Sequence, residues 1–226
     1  MVKLYTSLAY PKAFRSIILG APASGKGTVS SRIVNCFGVT HISSGDKLRD
    51  HVARQTEVGK RVKKYMDEGS FVPDDVIIEL ISQELKSVRD KNILLDGFPR
   101  TVAQAEKLQQ LHPMNHVLNL IVPHSMIMER VKNRWVHLPS GRVYNVGFND
   151  PKVLGRDDVT GEKLSQRNDD KPDVVAKRLT DYVMKTEKVI EYYRQLGILK
   201  EFEGDTTDEM WPKIKTFISQ CIDGNK

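Results

Sequence analysis

The stretch Ser16–Thr28, SIILGAPASGKGT, decides how the rest of the chain is read. A short apolar run, Ser16-Ile17-Ile18-Leu19, leads into a glycine-bearing turn and then a lysine. The spacing Gly20-x-x-x-x-Gly25-Lys26 is that of a phosphate-binding loop between a strand and a helix. Glycines let the backbone curl into conformations closed to other residues. Successive N–H groups then converge as an anion nest, and the positive end of the following helix adds to the attraction. Lys26 supplies a compact charge for the outer phosphates. The strict pattern has Ser or Thr directly after the lysine; here Gly27 intervenes and Thr28 follows. The motif specifies a phosphate site without naming a reaction.

Outward from this loop, Lys26–Phe37 reads as a helix with Val29, Ile33 and Val34 inward and Gly38 as its stop. Short polar helices are expected through about Gly69, and Asp74 is expected to N-cap the next helix, whose apolar face is Val76, Ile77, Leu80, Ile81 and Leu85. The run Lys91–Asp96 reads as a buried strand ending in an acid, Gly97–Arg100 as a loop, and Thr101 as the cap of a further helix. His116–Val122 is a third strand. Ser125 is expected to cap a helix bearing both Arg130 and Arg134 on one face. Residues 135–170 break the pattern, with WVHLPSGRVYN resembling a hairpin, and read as a small β-rich insertion. A long helix is expected from Pro172 to Leu196, ended by Gly197, then a strand over Ile198–Glu203 and a helix over Glu209–Ile222. Strands alternating with helices predict an α/β fold with a parallel sheet and crossover connections.

The chain has 226 residues, 39% of them hydrophobic and 28% charged, which suits one soluble domain with insertions. No apolar run approaches a membrane span. Two cysteines, Cys36 and Cys221, provide neither a metal cage nor a disulfide framework. A net charge of +6 suits anionic partners. The arginines are spread among motifs without interleaved aromatics, which favours small phosphorylated molecules over nucleic acid. The first fifteen residues, MVKLYTSLAYPKAFR, hold Lys3, Lys12 and Arg15 and no acid. They read either as a short transit-like segment or as a plain N-terminal arm.

Three features narrow the chemistry. Asp96 ends an apolar strand, where phosphate-loop proteins place a carboxylate near Mg²⁺ and its waters. Arg49, Arg100, Arg134, Arg142, Arg167 and Arg178 recur in loops and insertion, enough to neutralise a polyphosphate transition state. No nucleophile–base pair is evident, and structural or surface roles are expected for the six histidines. A phosphate acceptor needs no base, because its second pKa is about 6. Catalysis then reduces to alignment, charge screening and exclusion of water, for which the 135–170 insertion is a candidate cover.

The segments GAPASGKGT, SSGDKLR, LLDGFPRTVAQAE, RWVHLPSGRVYN, DDVTGEKLSQRNDDKP and VVAKRL together resemble the adenylate kinase family in its long-lid form, nearly throughout from Ser16 onward. The resemblance implies a P-loop NTPase-type sheet flanked by helices, with a monophosphate-binding helical insertion over about 43–72 and a lid over about 135–172. It implies that Ala23, Ser24, Gly25, Lys26, Gly27 and Thr28 hold a donor triphosphate, with Arg134, Val143 and Tyr144 contacting it from the lid and Thr206 meeting its base through the backbone. Ser44, Arg49, Ser70, Phe71, Val72, Gly97, Phe98, Pro99, Arg100 and Gln104 would hold AMP, and Arg167 and Arg178 would bridge the two phosphate ends. Lys26, Arg100, Arg134, Arg167 and Arg178 form the implied catalytic set. Asp46, Asp96, Asp169 and Asp170 would serve as Mg²⁺-water or lid-latching carboxylates. Ala23 stands where the family usually has Gly, and Ser44 where many members have Thr.

Some members fasten the lid with zinc on four cysteines; here His137, Ser140, Asp157 and Thr160 occupy the comparable places. A hydrogen-bonded substitute and no structural zinc are therefore expected. The finer resemblance is to the mitochondrial GTP:AMP phosphotransferase branch, through RWVHLPSGRVYN, QRNDDKP and Glu209-Met-Trp-Pro212. It implies GTP or ITP as donor to AMP, a monomer, and a location in the mitochondrial matrix, with the cytoplasm as alternative. Rival expectations are an ATP-preferring enzyme of the same fold, a catalytically silent nucleotide sensor, and, more distantly, a nucleic-acid-binding P-loop protein.

Overall fold

The computed structural model of the chain describes residues 13–147, 149–167 and 170–223. Most of the expected N-terminal arm (residues 1–12) and Asp169 lie outside those residues. In chain order the elements are β1 (Arg15–Gly20), α1 (Lys26–Phe37), β2 (Thr40–Ser43), α2 (Ser44–Ala53), α3 (Glu57–Asp67), α4 (Asp74–Lys86), β3 (Ile93–Asp96), α5 (Val102–Leu111), β4 (His116–Ile121), α6 (His124–Lys132), β5 (Arg134–His137), β6 (Arg142–Asn145), α7 (Pro172–Asp181), α8 (Glu187–Gln195), β7 (Leu199–Glu203) and α9 (Thr207–Asp223).

Among the described residues the central sheet has five parallel strands in the order β2-β3-β1-β4-β7, and β5 and β6 form a separate antiparallel hairpin. Both faces of the sheet are covered. Ile17, Leu19, Ile93, Leu95 and Val117 pack with α4, α5 and α8, while Ile18, Leu94, Leu118 and Leu120 pack with α1, α6 and α9. That is why β1 and β3 read as near-continuous apolar runs rather than alternating ones. Each such aliphatic side chain taken out of water contributes roughly 1.5–3 kcal/mol. β1 begins one residue earlier than expected. Arg15 belongs to the fold, buried with its guanidinium on the carbonyls of Arg89 and Pro113 at 3.0 and 3.3 Å.

Local rules place most of the boundaries. Gly38 adopts φ +61° and closes α1 by returning its N–H to Val34. The predicted apolar face of α4 is buried in full. Four expectations are corrected. Asp74 is the first residue of α4 rather than its cap, which is Pro73; its carboxylate reaches across to Thr101 and Gln104. Ser125 does not cap α6, whose cap is Pro123. Arg134 is not on α6: Asn133 ends that helix and Arg134 opens β5, so Arg130 and Arg134 share no helix face. The long helix after Pro172 is also interrupted by a π-helical segment, Tyr182–Thr186. This wider turn lies against the Arg100 loop, where Thr186 Oγ1 donates to the Arg100 carbonyl at 3.3 Å.

Candidate active site

Parallel strands point their carboxyl ends at one edge of the sheet, and in such sheets ligands bind outside that edge. β1 ends there in the glycine loop. Gly25 takes φ +92° immediately before α1, and a Cβ built on it would lie 2.4 Å from Thr207, so glycine is needed twice over. Ala23 lies in the left-handed region as well, at φ +60°. The residue that stands where the family usually has glycine thus occupies a conformation glycine prefers. β3 ends beside β1 with Asp96 level with Ile18, and it ends beside β2 with Asp96 level with Ser43.

Above this edge lies a cleft of about 580 Å³. The loop forms one wall with Ala23, Gly25, Lys26, Gly27 and Thr28; Asp96 and Asp46 lie on the cleft as well. Arg49, Phe71, Gly97, Pro99 and Arg100 form the facing wall, and Arg134, Val143, Tyr144 and Arg167 line it from the β5–β6 region. Arg178 comes from α7. A smaller adjoining cavity of about 70 Å³ shares Arg49, Phe71, Gly97, Arg100 and Arg178 with the cleft and adds Ser44, Ser70, Val72, Phe98 and Gln104. Two of the residues expected to contact nucleotide do not line either space. Ser24 is buried behind the loop, its N–H on the Ala21 carbonyl at 3.1 Å. Thr206 sits at the start of α9, where its Oγ1 accepts from the Glu209 N–H at 3.2 Å; its neighbour Thr207 lines the cleft instead.

The electrostatics are those of a cationic chamber waiting for anions. Lys26 Nζ donates to the carbonyls of Gly20 and Ala21 at 2.7 and 2.9 Å. Burial lowers its pKa to about 8, with Arg100, Arg178 and Arg134 adding to the depression and Asp96 opposing it. Burial pushes Asp46 up, but Arg49, Ser43 and Arg167 outweigh it and hold the carboxyl below its ordinary value. Arg134 is clasped by Asp170, Nε to Oδ2 at 2.8 Å with a second contact from Nη2 to Oδ1. Arg100 is braced by its Nε on the Gly97 carbonyl at 2.8 Å and stands over the Phe71 ring at 5.7 Å.

In the hairpin region the four residues at the cysteine-equivalent places do bond to one another. His137 Nδ1 pairs with Ser140 Oγ at 2.7 Å, Thr160 Oγ1 donates to Asp157 Oδ2 at 2.9 Å, and Thr160 Oγ1 lies 3.4 Å from His137 Nε2. Arg142 adds a two-point clamp on Asp157 at 2.7 and 2.6 Å, and that clamp, joined by Thr160 and Tyr144, keeps Asp157 well below the usual carboxylate range. Arg142 lines the cleft, yet its guanidinium is committed to this network, so its role is to stiffen the hairpin. The Tyr144 hydroxyl is committed too, donating to Asp157 at 2.9 Å and accepting from the Asp158 N–H at 2.8 Å.

Sequence reasoning passed over several lining residues, Arg130 and His41 among them. Arg130, on α6, reaches the Ala23 carbonyl at 3.4 Å and also meets the Asp205 carbonyl, tying the loop to the start of α9. Its position four residues before an expected site arginine was the available signal. His41, assigned a structural or surface role, lines the cleft 3.7 Å from Asp96.

A strand, a glycine loop and a helix with Lys26 at the turn, set opposite a fan of arginines, define a P-loop phosphotransferase. A family model described as adenylate kinase matches residues 18–198. The chain is 49% identical over 213 residues to "GTP:AMP phosphotransferase, mitochondrial" of Drosophila melanogaster, covering 94% of this chain and 99% of that one. It is 43% identical over 218 residues to the protein of the same name from Saccharomyces cerevisiae, covering 92% and 93%. To "Adenylate kinase" of Sodalis glossinidius it is 46% identical over 183 residues, covering 80% and 86%. The chain belongs to the adenylate kinase family.

Proposed function

We propose that this protein transfers the γ-phosphoryl group of GTP to AMP, giving GDP and ADP, in the mitochondrial matrix. The observation that carries the proposal is the convergence of Lys26, Arg100, Arg134, Arg167 and Arg178 on one cleft that has a phosphate nest at one end and a smaller cavity, lined by Gln104, adjoining the other. The names of the Drosophila and yeast relatives support the donor, the acceptor and a mitochondrial location, and the basic pI of about 9.2 agrees with the matrix.

The donor triphosphate lies along Ala23–Thr28 with Val143 beside it, and its base points towards Thr207 and Arg130 rather than Thr206. AMP lies in the small cavity, its base against Gln104 and its phosphate among Arg49, Arg100 and Arg178. The acceptor oxygen is already anionic near neutral pH, so no base is required. What the chain supplies is alignment and positive charge where negative charge spreads in the transition state. Lys26 follows the transferred group, and Arg134, Arg167 and Arg178 close around it. Residues 43–72 act as the monophosphate-binding insertion and 135–172 as a lid that excludes water, on a CORE of residues 16–226. Mg²⁺ enters with the triphosphate as part of the substrate. Asp96 and Asp46 line the same cleft as Lys26 and Thr28 and would hold its waters, while the ion screens charge between the phosphates. The protein works as a monomer on free nucleotides.

A donor panel tests this: GTP, ITP and ATP at equal concentration with AMP and Mg²⁺, with diphosphate products quantified. Faster turnover with GTP than ATP is expected. The reverse order assigns the chain to the ATP-preferring enzymes, and no turnover with any donor assigns it to silent nucleotide binders.

A further inference from the structure

Gln104 offers the small cavity its most constrained chemistry. The residue is 2% exposed, and its amide has two partners of opposite kind. Oε1 accepts from the Arg100 N–H at 2.7 Å, and Nε2 donates to Asp74 Oδ1 at 2.6 Å. A backbone N–H can only donate and an ionised carboxylate can only accept. Turning the amide by half a revolution would set its oxygen against the carboxylate and its NH₂ against the N–H, so a single orientation fits. The carboxylate is itself anchored. Asp74 Oδ2 accepts from Thr101 Oγ1 at 3.1 Å, and the residue stands in the first turn of α4, where helix amides favour negative charge. Asp74 lines neither cleft nor cavity.

We infer that Asp74 is the positioning residue that sets acceptor specificity: by fixing the Gln104 amide it makes the cavity accept a 6-aminopurine mononucleotide and reject a 6-oxopurine one. The inference rests on the proposed placement of AMP in this cavity. After the bonds to Asp74 and Arg100, the amide retains one N–H on Nε2 and one lone pair on Oε1. An adenine edge presents an amino donor beside the N1 acceptor, which this pair complements. Hypoxanthine and guanine present a carbonyl acceptor beside an N1–H donor, and pairing with them needs the turned amide. The wrong base therefore meets like groups in a buried site, which discriminates more sharply than a missing contact.

Steady-state kinetics with GTP as donor and AMP or IMP as acceptor test the inference on the full chain. In Asp74→Ala, KM for AMP rises about tenfold and the preference for AMP over IMP in kcat/KM falls about tenfold, corresponding to one lost buried hydrogen bond. The kcat at saturating AMP and KM for GTP stay within about twofold. Asp74→Asn keeps an acceptor oxygen, and the Thr101 hydroxyl can reverse its role, so this variant restores most of the preference. If Asp74→Ala does not fold, Asp74→Ser, whose hydroxyl can donate as well as accept, carries the same expected loss. An unchanged AMP-to-IMP ratio in a folded variant, or an equal loss for both acceptors, overturns the inference and leaves the AMP site intact. A wild-type protein that does not phosphorylate AMP overturns the acceptor assignment beneath it.

Discussion

Replacing Lys26 with methionine should abolish turnover while leaving the stability of the fold nearly unchanged. The ammonium sits in a partly buried, arginine-rich corner that brings its pKa from 10.5 to about 8. At about 1.36 kcal/mol per pH unit, folding with the charge in place costs about 3 kcal/mol relative to a solvated lysine. Against this stand two charged hydrogen bonds to the Gly20 and Ala21 carbonyls, at 2.7 and 2.9 Å, together contributing about 3 kcal/mol even at the low end for a charged donor. The two contributions nearly cancel, so Lys26→Met should stay within about 1 kcal/mol of wild type at neutral pH, or within about 2–4 °C in Tm for a chain of this size. Below pH 8 both folded and unfolded wild type carry the proton and the folded state bears the whole cost. Above pH 10.5 neither carries it and the cost vanishes. Wild type should thus gain in Tm relative to the variant from pH 8 to pH 10.5. Paired thermal melts across that range, with a coupled assay for diphosphate formation, read both effects. A variant that loses several degrees, or that keeps near-normal rate, refutes the reasoning.

The same lysine makes donor binding pH-dependent. Phosphate beside Lys26 favours its charged form, so triphosphate affinity should weaken as pH rises through about 8, and calorimetry in buffers of different ionisation enthalpy at that pH should show proton uptake on binding. Arg167→Gln should lower kcat by about a hundredfold or more while nucleotide KM values change only a few-fold, since its contact strengthens as charge develops; equal losses in binding and rate would contradict this. Ala23→Val should cost about 1–3 kcal/mol in a chemical denaturation curve, because a β-branched residue fits poorly at φ +60°. Ala23→Gly should stay within about 1 kcal/mol of wild type, relief of strain being offset by a freer unfolded chain.

Sequence alone revealed what depends on local chemistry. The loop Gly20–Thr28, the α4 face and the Gly38 stop follow from periodicity, glycine and lysine, and the structure keeps them. What escaped was decided by tertiary partners. Asp74 has the composition of a cap, but the pull of Thr101 and Gln104, about thirty residues on, gave its carboxylate another task. Helical periodicity carries Arg134 onto α6, but the helix ends at Asn133, a residue type that favours helix ends, and hairpin pairing with Asn145 draws Arg134 into β5. Tyr144 and Arg142 read as cleft groups, and both line it, yet their polar atoms are held by the buried Asp157, a partner no spacing rule announces. The π segment at Tyr182–Thr186 likewise reflects a contact with Arg100, not a propensity.

The central claim is that two mononucleotides meet by their phosphate ends in this chamber and exchange one phosphoryl group. A crystal structure with a guanosine–adenosine dinucleoside pentaphosphate tests it most directly. The account predicts a phosphate chain running from the Gly20–Thr28 nest past Lys26, Arg134 and Arg167 to Arg100 and Arg178, with adenine against Gln104. An inhibitor bound elsewhere, with the nest empty, contradicts it.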